Sequence, residues 1–239
     1  MRRRIGVMIP STNATCEADF NLVSGNAFSV HGQRLWLTEG GGKEAFERMN
    51  REVESGAKYL GTAKVHVVAY GCVAGSMING PEGDRRMLAA IEREAGAPAV
   101  ATMPASLEAL RAFGARRISV ATPYAESKNA ELKTYLEQQG FEVLNVSGDP
   151  GAVHCGNQGI NDRTPESVEA FASTACAPEA DALYCACTAW RSLEVTDAIE
   201  RRIGKPVVTA NGAMIWAALR ALGAKQPVRG FGRLLEGVS

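Results

Sequence analysis

The sequence lacks the long apolar segments and the charge imbalance that mark several classes of protein. Hydrophobic residues make up 46% of the chain, but no run of 18 apolar residues occurs, so no membrane-spanning helix is expected. The 26 basic and 26 acidic side chains are mixed along the chain and give a formal net charge of zero. This balance is not typical of proteins that bind nucleic acid or a membrane surface, so we expect a small molecule as the partner.

Motifs for metals, nucleotides and histidine-dependent nucleophiles are also missing. The three histidines, His31, His66 and His154, are far apart in the sequence, which disfavours a Cys-His or Ser-His-Asp site. No CxxC pair occurs, and no glycine-rich motif has the spacing of a phosphate-binding loop. We therefore expect neither a metal nor another cofactor.

The cysteines and the first residues bear on cellular location. The opening MRRRIGVMIP contains an apolar stretch that is too short for a signal peptide and ends at Pro10. We therefore expect a cytoplasmic protein, in which the six cysteines are free thiols. The sequence leaves room for a homo-oligomer.

What the sequence does contain is an internal repeat. RRIGVMIPS, which begins at Arg3, resembles RRISVATPY, which begins at Arg116, and VHVVAYGC resembles DALYCAC. A third pair, GAPAVATMPASLEALRAFGA and GKPVVTANGAMIWAALRALGA, follows in the same order. Three matching blocks in one order indicate two copies of one structural unit.

Each copy alternates short β-branched runs with amphipathic segments of helical period, which is typical of parallel βα units. We predict an α/β protein with two Rossmann-like domains that are related by a pseudo-twofold axis, each with a four-stranded parallel sheet flanked by helices. The predicted domains are residues 1–108 with 213–239, and residues 109–212, with the active site at their interface. The predicted strands are Ile5–Ile9, Ser29–Leu37, Val65–Gly71, Ala99–Thr102, Ile118–Thr122, Glu142–Ser147, Ala182–Ala186 and Val207–Thr209. Predicted helices include Lys43–Leu60 and Ala125–Gln139.

Two cysteines occupy the same place in the two copies. Cys72 and Cys187 each follow a buried strand and are expected to precede a helix, so a twofold axis would bring them face to face. The positive end of a helix dipole would lower the pKa of such a thiol and favour the thiolate. Two thiols on opposite sides of one carbon could exchange a proton, or one could attack while the other transfers protons. The remaining cysteines are interpreted as small buried hydrophobic residues.

The segments RRIGVMIPSTNATCE, AYGCVAGSMINGP, ATPYAESKNAELKTYLEQQGFEV, NQGI and CACTAWRSL together resemble the maleate cis-trans isomerases of the aspartate/glutamate racemase superfamily, which are related to arylmalonate decarboxylase. The resemblance covers nearly the whole chain. It implies a cytoplasmic enzyme that isomerises maleate, or a similar small cis-dicarboxylate, to fumarate without a cofactor. In this mechanism Cys72 adds covalently to the substrate and Cys187 is the acid/base partner.

The resemblance also assigns binding roles. Asn13, Tyr124 and Asn157 would hold the substrate carboxylates, and the backbone N–H groups of Val73, Ala74, Thr188 and Ala189 would complete the anion sites. From the residues alone, other interpretations stay open. Asn13 could be a helix N-cap, Asn157 a turn former and Tyr124 a half-buried surface ring.

The sequence departs from the family pattern after the second cysteine, where Trp190 and Arg191 stand. Arg191 could pair with a carboxylate or face solvent. Three alternative functions also remain open: a two-cysteine amino-acid or hydantoin racemase, an arylmalonate-type decarboxylase, and a two-domain protein that binds a small acid without chemistry. The retained Cys72 weakens the decarboxylase interpretation.

Overall fold

The computed structural model of the protein describes residues 2–25, 27–38 and 41–237, and the statements below concern these residues. Two four-stranded parallel sheets are flanked by helices, which confirms the predicted fold class. The first half contains β1 (Arg3–Pro10), α1 (Cys16–Ser24), β2 (Phe28–Leu35), α2 (Lys43–Asn50), α3 (Val53–Thr62), β3 (Val67–Tyr70), α4 (Val73–Ala95), β4 (Ala99–Ala101) and α5 (Thr102–Ala112).

The second half repeats this plan with different helix lengths. It contains β5 (Arg117–Thr122), α6 (Glu126–Gln138), β6 (Glu142–Gly148), α7 (Gly156–Asn161), α8 (Pro165–Ala175), β7 (Ala182–Cys185), α9 (Thr196–Ile203), β8 (Val207–Thr209), α10 (Ala210–Ala221) and α11 (Arg233–Glu236). A short 3-10 helix, Leu193–Val195, precedes α9.

The two sheets have the same topology. The strand orders are β2-β1-β3-β4 and β6-β5-β7-β8, and all the pairings are parallel. In both sheets the central pair, β1·β3 and β5·β7, directs its carboxyl ends to the loops that carry the repeated motifs. The carboxyl ends of parallel strands are where open α/β sheets bind their ligands.

A shared hydrophobic core joins the two halves. It packs α5 against α10 and includes side chains from β1, β3, β5 and β7. Nearly every residue of α10 is buried, from Ala210 to Leu219, which is typical of a helix that packs on several sides. Two further clusters fill the outer faces of the sheets, one in each half. The predicted domain boundaries, 1–108 with 213–239 and 109–212, stay a prediction.

The predicted helix 43–60 is wrong as a single helix. The chain forms α2 and α3, with a break at Arg51 and Glu52, where backbone bonds reach back three residues instead of four. The Glu52 carboxylate accepts a hydrogen bond from the Trp36 N–H at 2.8 Å, a tertiary contact that local sequence periodicity does not reveal. The second predicted helix is confirmed as α6, and Gly140 follows it with a φ of 90°.

The helix that follows Cys72 has a kink. Gly80 adopts a φ of 63° and ψ of 174°, and Pro81 follows it inside α4. Proline has no N–H to donate, so the backbone ladder is interrupted there. None of the helices in the described ranges is both long and apolar enough to cross a bilayer.

Candidate active site

One small cavity, about 130 Å³ in volume, lies at the carboxyl ends of both central strand pairs. All nine residues that the sequence singled out line it. They are Asn13, Cys72, Val73, Ala74, Tyr124, Asn157, Cys187, Thr188 and Ala189. The volume is well below the roughly 300 Å³ at which drug-sized ligand sites begin, so the cavity suits a ligand of few atoms.

Cys72 is the N-cap residue of α4. Its backbone is extended, and its Sγ accepts a hydrogen bond from the Gly75 N–H at 3.2 Å. A side chain at position 75 would collide with the hydroxyl of Tyr70, so glycine allows the first turn of α4 to lie this close to the strand. The first-repeat thiol therefore lies at a helix N-terminus, as predicted.

Cys187 is held differently, and the prediction that a helix follows it directly is wrong. Thr188–Trp190 form a turn, and the helical segments begin only at Leu193. Its Sγ accepts a hydrogen bond from the Ala189 N–H at 3.4 Å, so a turn amide takes the place of a helix-start amide. The repeat therefore conserves the position of the thiol but not the element after it.

The two cysteine loops touch each other through Thr188. Its hydroxyl donates to the carbonyl of Gly71 at 3.2 Å and accepts from the Asn13 side-chain amide at 3.0 Å. The Thr188 carbonyl accepts from Asn211 at 2.9 Å, and Asn211 also donates to the buried carboxyl of Asp19 at 2.7 Å. This chain of bonds fixes the residue before Cys72 to the residue after Cys187.

The three predicted carboxylate-binding side chains are supported to different extents by their own contacts. The oxygen of Asn13 accepts from the N–H groups of Thr15 and Cys16, at 3.0 and 2.9 Å, so this side chain is fixed against the start of α1, whose N-cap residue is Thr15. The side-chain nitrogen of Asn157 is buried without a hydrogen-bond partner among the described residues, which leaves a donor available. Tyr124 is half-buried, and Thr122 and Asn129 hold its backbone.

The pKa values of both thiols differ from the sequence expectation. Burial raises the pKa of Cys72 to about 12, although the Gly75 N–H opposes this effect. Burial also raises the pKa of Cys187, against the opposing effects of the Tyr124 hydroxyl and the N–H groups of Ala189 and Trp190. The predicted lowering of the thiol pKa values is wrong because desolvation outweighs the helix and turn amides.

Trp190 and Arg191 do not enter the cavity. Trp190 is fully buried and packs edge-on against Phe171, with 6.1 Å between the ring centroids. The Arg191 guanidinium forms two hydrogen bonds with Glu194, at 2.7 and 3.1 Å. Both side chains therefore shape the turn after Cys187 from outside the cavity.

The predicted site residues leave out seven others that line the cavity, and two of these, Phe46 on α2 and Lys128 on α6, bear on the site's chemistry. Lys128 lies in the first turn of α6, close in sequence to the predicted site residue Tyr124, which precedes that helix. This closeness to the strand end after β5 is the signal that the sequence held for it. Phe46 reaches the cavity only through the packing of α2, and no local pattern marks it.

The arrangement can perform nucleophilic and acid/base chemistry at one small ligand, because two thiols meet a set of neutral hydrogen-bond donors.

A family model for arylmalonate decarboxylase matches residues 5–235. The chain belongs to the arylmalonate decarboxylase family. The chain is 30% identical to maleate isomerase of Nocardia farcinica, over 98% of this chain and 96% of that protein. It is 29% identical to maleate isomerase of Pseudomonas putida, over 98% and 97%.

Solved structures agree with this membership. A variant of Nocardia farcinica maleate cis-trans isomerase, in which a serine replaces a cysteine, carries a covalently bound succinylcysteine intermediate. It matches with a TM-score of 0.91 and 28% identity over 100% of both chains. A maleate isomerase from Pseudomonas putida S16, crystallised with maleate as a cysteine-to-alanine variant, matches with a TM-score of 0.88 and 26% identity over 100% of both chains. The resemblance to maleate isomerases is thereby confirmed.

Proposed function

We propose that this member of the arylmalonate decarboxylase family is a cofactor-independent isomerase, which converts maleate or a similar small cis-dicarboxylate to the trans isomer. The observation that carries the proposal is the shared cavity, where Cys72 and Cys187 meet within about 130 Å³. The covalent succinylcysteine in the Nocardia farcinica relative supports a thiol addition of the same kind. The family resemblance suggested the same reaction.

The proposed reaction begins with Cys72 as a thiolate and Cys187 as a thiol. The Cys72 sulfur forms a C–S bond to one olefinic carbon, and the electron pair of the double bond moves to the neighbouring carbon. That carbon takes the proton of Cys187, which gives a succinyl-cysteine. The former double bond between the two central carbons is now a single bond, and the molecule rotates about it. Cys187 then takes a proton back from the carbon it protonated, the C=C bond reforms, the C–S bond breaks to release the Cys72 thiolate, and the trans product leaves.

The donors around the thiols have matching roles in this proposal. Negative charge develops next to a substrate carboxylate during addition, and donors that are fixed in place stabilise such charge best. Asn157 offers an unpartnered donor, Asn13 keeps one amide hydrogen beyond its bond to Thr188, and Tyr124 offers a hydroxyl. Val73, Ala74, Thr188 and Ala189 line the same space, and in this proposal their N–H groups complete the anion sites. The Ala189 N–H also donates to the Cys187 Sγ.

The alternatives are less well supported. A racemase would use the same thiols as opposed bases, but it needs no covalent adduct, and the relatives with the highest overall similarity reported above are isomerases. An arylmalonate-type decarboxylase fits the family, whereas the identity to a solved arylmalonate decarboxylase structure, 24%, supports the fold alone.

Proton NMR in D₂O tests the proposal directly. Maleate incubated with the protein should lose its olefinic signal while the signal of fumarate appears. The matched control is Cys155→Ala, which removes an exposed thiol outside the cavity and should leave the rate unchanged. Maleate that stays unchanged would contradict the proposal. Deuterium at the Cα of an amino acid would point to a racemase, and loss of CO₂ from an arylmalonate to a decarboxylase.

We further propose that the protein works in the cytoplasm, since all six cysteines are free thiols in the structure and reducing compartments preserve this state. The sequence leaves room for a homo-oligomer, and sedimentation velocity would test whether one forms.

A further inference from the structure

The cavity has one charged side chain among the described residues that line it, and that side chain is Lys128. Lys128 lies in the first turn of α6. It also lines a larger open groove, about 740 Å³ in volume, which shares Gly41 and Ala74 with the inner cavity. Lys128 therefore lies where the inner cavity opens toward the surface.

The ammonium group of Lys128 is held only by weak interactions. Its Nζ lies 4.7 Å from the ring centroid of Phe46 and 6.0 Å from that of Tyr124. No carboxylate of the described residues lies within 4.0 Å of it in an ion pair. A contact between a cation and an aromatic ring is weaker than a charge-assisted hydrogen bond to a carboxylate, so an arriving carboxylate would gain by pairing with this group.

A dicarboxylate places an unusual demand on this site. It brings two negative charges into a space whose other side chains are neutral, and the attacking thiolate adds a third. Charge in a buried site needs a counter-charge or several donors. The inner amides and neutral side chains can serve a carboxylate beside the thiols, whereas Lys128 is the charged side chain available to a carboxylate nearer the mouth.

The same ammonium acts on the thiols at longer range. The positive charge of Lys128 is among the effects that lower the pKa values of Cys72 and Cys187 against the larger raising effect of burial. This long-range effect does not depend on the second carboxylate, so it would act equally on a dicarboxylate and on its monoamide.

We propose that Lys128 determines specificity: its ammonium pairs with the substrate carboxylate nearer the cavity mouth and selects dicarboxylates over monocarboxylates of the same shape. The inference rests on the proposed function. It concerns the second carboxylate of the substrate, for which the nine predicted site residues provide no positive charge. Lys128 is a binding residue in this account, and the bond changes occur at the two thiols.

The kinetic test compares maleate with maleamate, in which an amide replaces one carboxylate. In Lys128→Met, the ratio of kcat/KM for maleate to that for maleamate should fall by about 10–100-fold, mainly through KM. Lys128→Arg should retain most of the ratio. The matched control is Lys133→Met on the same helix, an exposed residue paired with Glu137 at 2.7 Å, which should leave the ratio unchanged. An unchanged ratio in Lys128→Met would overturn the inference, even if both substrates lost rate equally.

A binding measurement separates this inference from the proposed function. Succinate and butyrate are titrated against the thermal unfolding midpoint of the wild-type protein and of Lys128→Met, which gives an affinity for each acid. Succinate should bind the wild-type protein at least about tenfold more tightly than butyrate, and the variant should lose this difference. Retention of the difference in the variant would contradict the role of Lys128. Loss of the difference without any turnover of maleate would support that role and contradict the isomerase.

Discussion

The loops that carry Cys72 and Cys187 end equivalent strands, yet they hold the two sulfurs by different means. Cys72 caps a long helix, and the backbone of the first turn, through the Gly75 N–H, contacts the sulfur. Cys187 lies in a turn, where the Ala189 N–H and the Tyr124 hydroxyl act on the sulfur. The two halves thus place a thiol at the end of the same strand, and the different segments that follow give each thiol its own donors.

This difference suggests that the two thiols have different roles in the reaction. At Cys72 the Gly75 N–H favours the thiolate against the larger opposing effect of burial, and no proton donor is needed beside the sulfur, which suits a nucleophile. A thiol beside a hydroxyl and turn amides can hold or release a proton near the substrate, which suits an acid/base group.

The largest effect is expected from removal of either sulfur. Cys72→Ala should lower kcat for maleate by about 10⁴-fold or more, because no C–S bond can form. Cys187→Ala should lower it by about 10²–10⁴-fold, because addition can still occur but proton transfer is lost. Initial rates of fumarate formation measure both. A smaller loss in Cys72→Ala than in Cys187→Ala would reverse the assigned roles.

A smaller effect is expected from Tyr124→Phe, which removes the hydroxyl beside Cys187 and keeps the ring. We expect kcat/KM to fall by about 10–100-fold, the usual cost of one lost hydrogen bond to a charged group. Since the hydroxyl lowers the pKa of Cys187, its loss should also shift the pH profile of Cys187 alkylation to higher pH. The alkylation rate of Cys72 measured against pH is the control. If Tyr124→Phe shifted the pH dependence of Cys72 alkylation as much as that of Cys187 alkylation, the pairing of Tyr124 with the second loop would be contradicted.

The pH dependence follows from the raised thiol pKa values. Below its pKa, the thiolate fraction of Cys72 grows about tenfold for each pH unit, and burial places that pKa at about 12. The value of kcat/KM for maleate should therefore rise continuously from pH 6 to pH 9, with a logarithmic slope near one. A profile that is flat over this range would show that the thiolate is already formed at neutral pH.

The smallest effect on maleate turnover is expected from Asp19, which supports the second loop through Asn211. Burial raises the pKa of this carboxyl to about 8, against the bond from Asn211. The folded state thus binds the proton more tightly than the unfolded state, so stability falls as the pH rises from about 4 to 8. Asp19→Asn should reduce this fall by on the order of 2 kcal/mol and change maleate turnover less than about threefold. Urea unfolding at pH 5 and pH 8 measures the difference, and equal pH slopes in both proteins would contradict it.

Much of the architecture could be predicted because the repeat and the strand pattern are local signals. All eight strands form where the β-branched runs lie, although β3 begins at Val67 rather than Val65. The nine predicted site residues converge because the strand ends that carry most of them lie together in a parallel sheet. Strand ends therefore located the site without knowledge of the tertiary packing.

The remaining features depend on tertiary contacts. The break between α2 and α3 coincides with a bond from Trp36 to Glu52, and the turn after Cys187 is braced by the Arg191 pair with Glu194. The thiol pKa values depend on burial, which competes with the local helix and turn amides. Phe46 enters the cavity from α2, which the sequence predicted only as part of one longer helix and could not orient.

The most direct test of the central claim is the site of the covalent adduct. Intact-mass and peptide mass spectrometry would follow Cys187→Ser and Cys72→Ser after incubation with maleate. Cys187→Ser should gain the mass of one maleic acid on the peptide that contains Cys72, and Cys72→Ser should gain none. An adduct on Cys187, or none in either variant, would contradict the account of the two loops.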